Sequence, residues 1–428
     1  MDRELFEVWN RVNALIDPDA LLDLALALGK IDSPAGNEAP AGNYLLEWLQ
    51  ERNFSPRKVG FVPERFCVAA SLPGKGGGPS LVFNAHMDTS MPDDATLMIR
   101  PADKKQDLAW IDGEYIVGKG VVNDKGPMAA FLIAADAIRR ASIALKGDVV
   151  LTMVPGEIDQ EPVDEFTSPQ YLSKEVGARY LVSRGAIGDY ALIAEGTDFD
   201  MAWAVAGKAC FKITVQGKSV YVPFMPPRGE PAKSPNAIIK MAPVLLALED
   251  WAARYERENT VDTPGGRVIP KMNVGAIRAG QPFHISSSAK LCSIYLDVRL
   301  APGADVMAIK ESLQQVVSQC GAEGFVELYT FRKGQVAENV EPLVEALGWA
   351  HHILGAEKPK IAAPAFSSMW RDHLVFIEAG VPALTYGPSG STGGAVPYSM
   401  KIDDLIRAAR SYALVALNIC SRTKGARS

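Results

Sequence analysis

Two short runs, Leu81-Val82-Phe83 and Val149-Val150-Leu151, are apolar at every position, and this constrains the fold more than any other feature of the chain. Successive residues of a strand point to opposite faces. A strand that is apolar throughout therefore has both faces covered, as in a mainly parallel sheet flanked by helices, an α/β architecture. Residues 66–72, 80–84, 148–154 and 191–194 read as strands and 128–141 as a helix. Residues 4–30 show helical periodicity, with Pro18 near the start of a second helix and Gly29 ending it, and 37–52 read as a further amphipathic helix.

The texture changes near residue 205. Residues 203–216 read as one long alternating strand, 219–234 as a Pro-rich loop, 235–257 as a helix, 271–278 and 289–300 as strands, 304–320 as a helix and 325–332 as a strand. Strand, helix, two strands, helix, strand is the order of a split, ferredoxin-like α+β unit. After Gly334 come a helix (341–354), a strand (382–386) and a closing helix (403–420). The expected organisation is one large domain, 1–206 plus 333–428, interrupted by a smaller insertion at 207–332.

Composition narrows the function classes. Of 428 residues, 48% are hydrophobic and 22% charged, as in an ordinary globular protein. Lys+Arg 44 against Asp+Glu 50 gives a net charge of −6, which argues against a nucleic-acid or anionic-membrane partner. No stretch approaches the ~20 apolar residues of a membrane span, and the first residues lack the basic and apolar regions of a signal peptide. The five cysteines are scattered and lack C-x-x-C spacing, so disulfides and a cysteine-zinc site are not expected and a reducing cytoplasm is.

Four segments sit at strand-to-loop junctions, where open α/β sheets bind ligands. In Asn84-Ala85-His86-Met87-Asp88, two side chains spaced H-x-D point the same way, so a carboxylate can hold one imidazole nitrogen while the other binds a metal. A lone histidine at a strand end would be unremarkable. The second, Gly118 to Pro127 (G-K-G-V-V-N-D-K-G-P), lies before a helix but matches neither phosphate-binding glycine motif, and its Asn and Asp could simply cap that helix. The third, Val154-Pro155-Gly156-Glu157-Ile158-Asp159, offers a carboxylate on a turn, either a general base or a solvated loop acid. The fourth, Ile193-Ala194-Glu195-Gly196-Thr197-Asp198, is of the same kind.

The order H-x-D, then G-[RK]-G-x-x-[DN]-x-K-G, then a strand ending in P-x-E, then A-E-G-T-D resembles the aminoacylase, carnosinase and glutamate-carboxypeptidase family of co-catalytic zinc peptidases. Trp370-Arg371-Asp372-His373, Gly380-Val381-Pro382-Ala383 and Tyr386-Gly387-Pro388 are similar to that family's final sheet loop. The resemblance implies a catalytic domain interrupted by a lid through which such enzymes often pair, hence a homo-oligomer. Position by position, it implies that His86, Asn123 and Glu195 bind one metal, with Asp88 orienting the histidine and Glu157 as general base. A one-residue shift would give Asp124 the role of Asn123.

The chain also departs from the family. The bridging aspartate is Asn123, and the second metal's glutamate and histidine are replaced by Ile158 and Ser399. A bridging carboxylate offsets the repulsion of two dications ~3.5–4 Å apart, and with one dication a neutral amide oxygen suffices. The expectation is one divalent transition metal per subunit, manganese first, with zinc, cobalt or iron as alternatives. In the lid, Tyr221 stands where the family's G-x-x-x-H has a histidine polarising the scissile carbonyl, and Asp297-Val298-Arg299 matches the strand whose arginine binds a substrate carboxylate.

Losing an oxyanion donor costs ~3–4 kcal/mol in peptide hydrolysis. A substrate that disperses its own negative charge needs less help, and an aromatic amine with an electron-withdrawing substituent is one. The combination resembles the branch of that family that deaminates a nitroaromatic acid, which implies a small anionic aromatic partner, a nitro-substituted anthranilate that loses ammonia. Arg299 or Arg371 would hold its carboxylate, His373 or Tyr221 would bond the nitro group or leaving amine, and Tyr221, Phe224, Phe283, Phe366 and Trp370 could line the pocket. Two competing readings are an amidohydrolase on N-acyl amino acids or dipeptides, with ligands moved to Asp124 and Asp159, and a non-catalytic binding relic.

Overall fold

The computed structural model describes residues 3–90, 108–158, 160–227, 229–391 and 398–424. Asp159 therefore lies outside the described residues. The strands used below are β1 (Arg57–Val62), β2 (Arg65–Leu72), β3 (Leu81–His86), β4 (Val149–Val154), β5 (Tyr190–Ile193), β6 (Gly207–Gln216), β7 (Met272–Ala279), β8 (Leu291–Leu300), β9 (Gly324–Arg332) and β10 (Ala383–Thr385). The chain divides into two compact units. The first comprises Met1–Trp203, Ala337–Ala362 and Arg371–Ser428, and the second Ala204–Val336 and Ala363–Trp370.

The first unit is built on a six-stranded sheet of order β1-β2-β4-β3-β5-β10. Strands β4, β3, β5 and β10 are mutually parallel, and β2 joins β4 antiparallel. The apolar runs are buried on both sides for the reason their composition requires. Leu81, Phe83 and Ala85 face one cluster, with the helices Gly126–Arg140 and Ile402–Cys420, whereas Val82 faces another, with Phe376 and Val381. Strand β1 was not anticipated: Arg57, Lys58, Gly60 and Phe61 are exposed, so it lacks an apolar signature and forms through its hairpin with β2.

The second unit has an antiparallel four-stranded sheet of order β7-β8-β6-β9, with Ala237–Asn259 and Val306–Gln319 packed on it through Met241, Val244, Leu248, Leu313 and Val317. This is the ferredoxin-like order. No helix among the described residues is long and apolar enough to cross a membrane, and all five cysteines are free thiols.

Three sequence expectations need correction. Residues 203–216 are not one strand: Ala204–Val205 pairs with Gln335–Val336, and β6 begins only at Gly207. The division between units therefore falls at 203/204 and 336/337, not at 206/207 and 332/333. Residues 363–370 join the second unit, where Ser367 donates to the Arg267 carbonyl and accepts the Ala206 N–H through its own carbonyl. Gly29 does not end its helix, which runs Pro18–Lys30 behind an Asp17 cap. A Cβ at Gly29 would lie 2.4 Å from that of Ala109, so the glycine serves close packing.

A buried arginine ties the sheet to Glu38 and to the segment after β4. Arg65, at the start of β2, donates Nε to Glu38 Oε2 at 2.8 Å and Nη2 to Glu38 Oε1 at 2.6 Å, both side chains being essentially inaccessible. Arg65 Nη1 also serves the carbonyls of Pro169, Gln170 and Leu172. Replacing Arg65 by Met leaves a buried carboxylate and three carbonyls without their cation. The expected loss is about 3–5 kcal/mol, read as a lower denaturation midpoint of the first unit; a loss under ~1 kcal/mol would mean that water replaces the guanidinium.

Candidate active site

The parallel register brings three strand ends to one edge. His86, last in β3, pairs with Val154, last in β4, and Asn84 pairs with Ile193, last in β5. Glu157 is therefore three residues beyond the His86 level, and Glu195, two beyond Ile193, continues to that level. The turn leading to Glu157 requires Gly156: its φ is +71°, and a Cβ there would lie 2.6 Å from the Ser173 carbonyl.

His86 is buried among acids. Its Nδ1 donates to the Asp88 carbonyl at 2.9 Å, and its Nε2 lies 3.2 Å from Asn123 Oδ1, 3.5 Å from Asp124 Oδ2 and 3.9 Å from Glu157 Oε2. The expected orienting contact thus comes from Asp88's backbone, its carboxylate being 3.6 Å from Nδ1. That carboxylate instead accepts the Ile158 N–H at 2.7 Å and the Glu157 N–H at 3.2 Å. Asn123 and Asp124 share one wide helical turn, Val121–Lys125, and the peptide between them is cis. They do not cap the next helix, which has no side-chain cap, because both turn to His86.

Arg371 reaches Glu195 Oε1 with Nε at 3.3 Å and the Gly196 carbonyl with Nη2 at 3.1 Å. His373 is fully buried, with Nδ1 on Thr385 Oγ1 at 2.8 Å. The structure thus gathers His86, Asp88, Asn123, Asp124, Glu157, Glu195 and Arg371. Ile158 and Ser399 bring an aliphatic side chain and a hydroxyl where the resemblance would place carboxylate and imidazole donors.

Arg299 and Tyr221 belong to the second unit. Arg299 is held by its strand neighbour Asp297 at 3.0 Å, and Tyr221 is 54% exposed. Phe224 and Phe283 are 78% and 86% exposed. Trp370 is buried, with Arg332 and Lys208 4.6 and 5.1 Å from its ring centre, so its ring packs against cations within that unit.

Lys174 was missed by sequence reasoning, because it lies in an irregular segment with no periodicity or motif. It is fully buried and donates Nζ to Glu157 Oε1 at 3.0 Å and to Asp372 Oδ1 at 2.7 Å. Asp372 also accepts Asn84 Nδ2 at 2.9 Å; both residues stand in the motifs above, without a role.

Charge defines what can bind here. Burial disfavours a charged His86, yet the carboxylates of Asp124, Asp88, Glu157 and Glu195 outweigh it and push the ring up to about 10. Burial raises Asp88 and Glu195 to about 6 and Asp124 well above the carboxylate range. Asp124 Oδ1 and Glu195 Oε2 are buried without a hydrogen-bond partner. A cluster this acidic, with orphaned carboxylate oxygens and one imidazole, fits a divalent cation. Among the described residues no three His, Cys, Asp or Glu side chains are arranged to hold an ion by themselves. The Asn123 amide oxygen beside Nε2 is the additional donor such an ion would need.

An α/β sheet with acids and a histidine at its carboxyl edge, interrupted by a ferredoxin-like unit, defines a class of two-unit fold whose edge is suited to a divalent cation. Residues 82–418 match the model of Peptidase family M20/M25/M40, and the chain belongs to that family of C–N bond hydrolases. Enzymes of the family bind divalent metals. The chain is 26% identical over 317 residues to a probable carboxypeptidase of Talaromyces marneffei, covering 71% of this chain and 65% of that protein, so it spans less than two thirds of that relative. It is 23% identical to the N-formyl-4-amino-5-aminomethyl-2-methylpyrimidine deformylase of Bacillus subtilis over 99% of this chain and 100% of that one. The fold is similar to the dipeptidase Dug1p of Saccharomyces cerevisiae, with TM-score 0.71, 12% identity and coverage of 99% and 100%.

In the metal-free protein both His86 nitrogens face acceptors, as imidazolium requires. An ion on Nε2 must displace its proton. The folded ring holds that proton up to about pH 10, against 6.5 for an ordinary histidine, so the proton is still bound at neutral pH and is lost only as pH rises through 10. Mn²⁺ binding at pH 7 is expected to release at least one proton, from His86, with any further release coming from the raised acids beside it, and affinity to rise with pH between roughly 7 and 9. Calorimetry in buffers of different ionisation heat reads both; absence of proton release would remove His86 Nε2 from the ligands.

Proposed function

We propose that this chain is a single-metal hydrolase of a non-peptide C–N bond, converting 5-nitroanthranilate to 5-nitrosalicylate and ammonia. The observation that carries this reading is Ile158: the residue after the acid that faces His86 is aliphatic, where a second metal would need a carboxylate. His86 Nε2, Asn123 Oδ1 and Glu195 would hold the ion, with Asp124 beside them. When bound, the ion supplies Lewis acidity and lowers the pKa of water at the site.

Glu157 takes a proton from the attacking water through Oε2, the oxygen on the His86 side. The water oxygen bonds to the amine-bearing ring carbon, and the ring and nitro group hold the displaced electron pair. The C–N bond then breaks, the nitrogen takes the proton from Glu157, and ammonia leaves. The substrate carboxylate needs a guanidinium, with Arg371 at the site and Arg299 in the second unit as candidates. Tyr221 and His373 remain candidates for the nitro group or amine, although the burial of His373 makes it a support of Thr385 first.

A second reading is amide hydrolysis of an N-formyl ring amine, an N-acyl amino acid or a dipeptide. The full-length likeness to the deformylase and the partial likeness to the carboxypeptidase favour it. The two readings separate in one panel. Metal-loaded protein is incubated with 5-nitroanthranilate, anthranilate, N-acetyl amino acids and dipeptides, and ammonia, free amine and ring absorbance are followed. The expected result is turnover of the 5-nitro compound and none of anthranilate, because the nitro group carries the barrier. Brisk amide hydrolysis with no turnover of 5-nitroanthranilate would install the second reading.

Metal analysis of loaded protein is expected to give one ion per chain, and two tightly bound ions would overturn the single-metal centre. Glu157→Gln should lower kcat at least ~10²-fold with metal content unchanged. A near-normal rate would displace Glu157 as base under either substrate reading.

A further inference from the structure

The two oxygens of Glu157 have different surroundings. Oε1 accepts from Lys174 Nζ at 3.0 Å, and Oε2 lies 3.9 Å from His86 Nε2. Lys174 is anchored in turn. Its second hydrogen bond goes to Asp372 Oδ1 at 2.7 Å, Asp372 Oδ2 accepts from Asn84 Nδ2 at 2.9 Å, and Asn84 Oδ1 accepts from Thr152 Oγ1 at 2.9 Å. Asn84 and Thr152 are paired residues of β3 and β4, the strands that end in His86 and lead to Glu157. The segment carrying Lys174 is clamped by Arg65 on the carbonyls of 169, 170 and 172 and by Ser173 Oγ on the Gly156 carbonyl at 3.3 Å. The ammonium thus sits in a rigid frame whose far end is the sheet itself.

A carboxylate within ~4 Å of a metal ligand faces a choice. A dication attracts it strongly in a buried, low-dielectric site, and carboxylate oxygen is an ordinary ligand for manganese or zinc. An acid that closes onto the ion ceases to be a base for water. With Ile158 as its neighbour, Glu157 has no adjacent carboxylate to satisfy the ion in its place.

We propose that Lys174 is the positioning residue that keeps Glu157 off the metal. By holding Oε1 in a charge-assisted hydrogen bond, it leaves Oε2 turned to the reacting water and makes Glu157 a base instead of a ligand. This rests on the reading of Glu157 as general base, which both substrate readings share.

The test joins two readouts that a merely structural role would move in the same direction. Lys174→Met frees Glu157 to ligate. In the Mn²⁺-loaded protein, kcat should fall about 10²-fold with KM within about threefold, measured on whichever panel compound the wild type turns over. Mn²⁺ affinity, titrated on the metal-free protein, should rise about tenfold or more, and the Mn²⁺ paramagnetic resonance spectrum should change. In a Glu157→Gln background the same substitution should neither lower kcat further nor tighten the metal.

Normal kcat in Lys174→Met, or a lost rate with weakened metal binding, overturns the proposal while leaving Glu157 as base. A near-normal rate in Glu157→Gln alone overturns the base reading itself. Should Lys174→Met not fold, Lys174→Met/Asp372→Asn keeps the buried charge balance and carries the same readouts. A crystal structure of the Mn²⁺-loaded wild type decides without any variant: Lys174 Nζ must remain on Glu157 Oε1, and a Glu157 oxygen in the coordination shell refutes the proposal.

Discussion

Asp88 holds two strand ends in one geometry, and the site depends on it. Its carbonyl accepts a hydrogen bond from His86 Nδ1–H, N···O 2.9 Å, which fixes the ring at the end of β3 with Nε2 turned to Asn123. Its carboxylate takes the Glu157 and Ile158 N–H groups, which fixes the turn after β4. Burial pushes this acid toward its neutral form, while the imidazolium and the Ile158 N–H pull it toward the charged one. A carboxylate bonded to backbone N–H groups resists rearrangement more than one bonded to side chains, because the donors belong to the chain path. Asp88 therefore sets where Glu157 begins, and Lys174 meets the carboxylate at its other end.

Electrostatics explain why so polar a centre can lie within a folded unit. Asp88, Asp124, Glu157 and Glu195 surround one imidazole, and four unpaired buried carboxylates would be prohibitive. Two permanent cations reduce the load from the sides, Lys174 at Glu157 and Arg371 at Glu195. The remainder is absorbed by protons, which is the physical content of the raised His86, Asp88, Asp124 and Glu195. A bound dication would take over that share from the protons.

The parts legible in the sequence were those fixed by backbone rules. Apolar runs without alternation gave the parallel sheet, and strand-end motifs located His86, Glu157 and Glu195, because a parallel sheet puts every such end at one edge. The βαββαβ order located the inserted unit, although its borders moved by three or four residues where the chain crosses at Ala204–Val205 and Gln335–Val336. What stayed hidden depends on side chains that meet across long separations from irregular segments. Lys174 meets Asp372 and Arg65 meets the carbonyls of 169–172, and neither lysine nor arginine is distinguishable in sequence from the solvated ones around it. Asp88 was recognised for its carboxylate while its backbone carbonyl makes the closer contact with the imidazole. Spacing cannot reveal that choice, since both groups belong to one residue.

The same geometry accounts for how this edge can change chemistry without changing fold. The donors stand on turns beyond strands whose register is set by main-chain hydrogen bonds, so exchanging one side chain leaves the strand pairing intact. Ile158 is the clearest case. Its backbone N–H makes the 2.7 Å bond to Asp88 whatever its side chain, so the turn keeps its shape when a carboxylate there gives way to an aliphatic group. In the proposed single-metal reading the loss falls on the charge balance, which one dication with an amide oxygen would restore where two dications would need a bridging carboxylate. In that reading Asn123 and Ile158 are linked: beside the buried Asp124, a second acid at 123 without a second metal would add a further buried charge, which the neutral amide avoids.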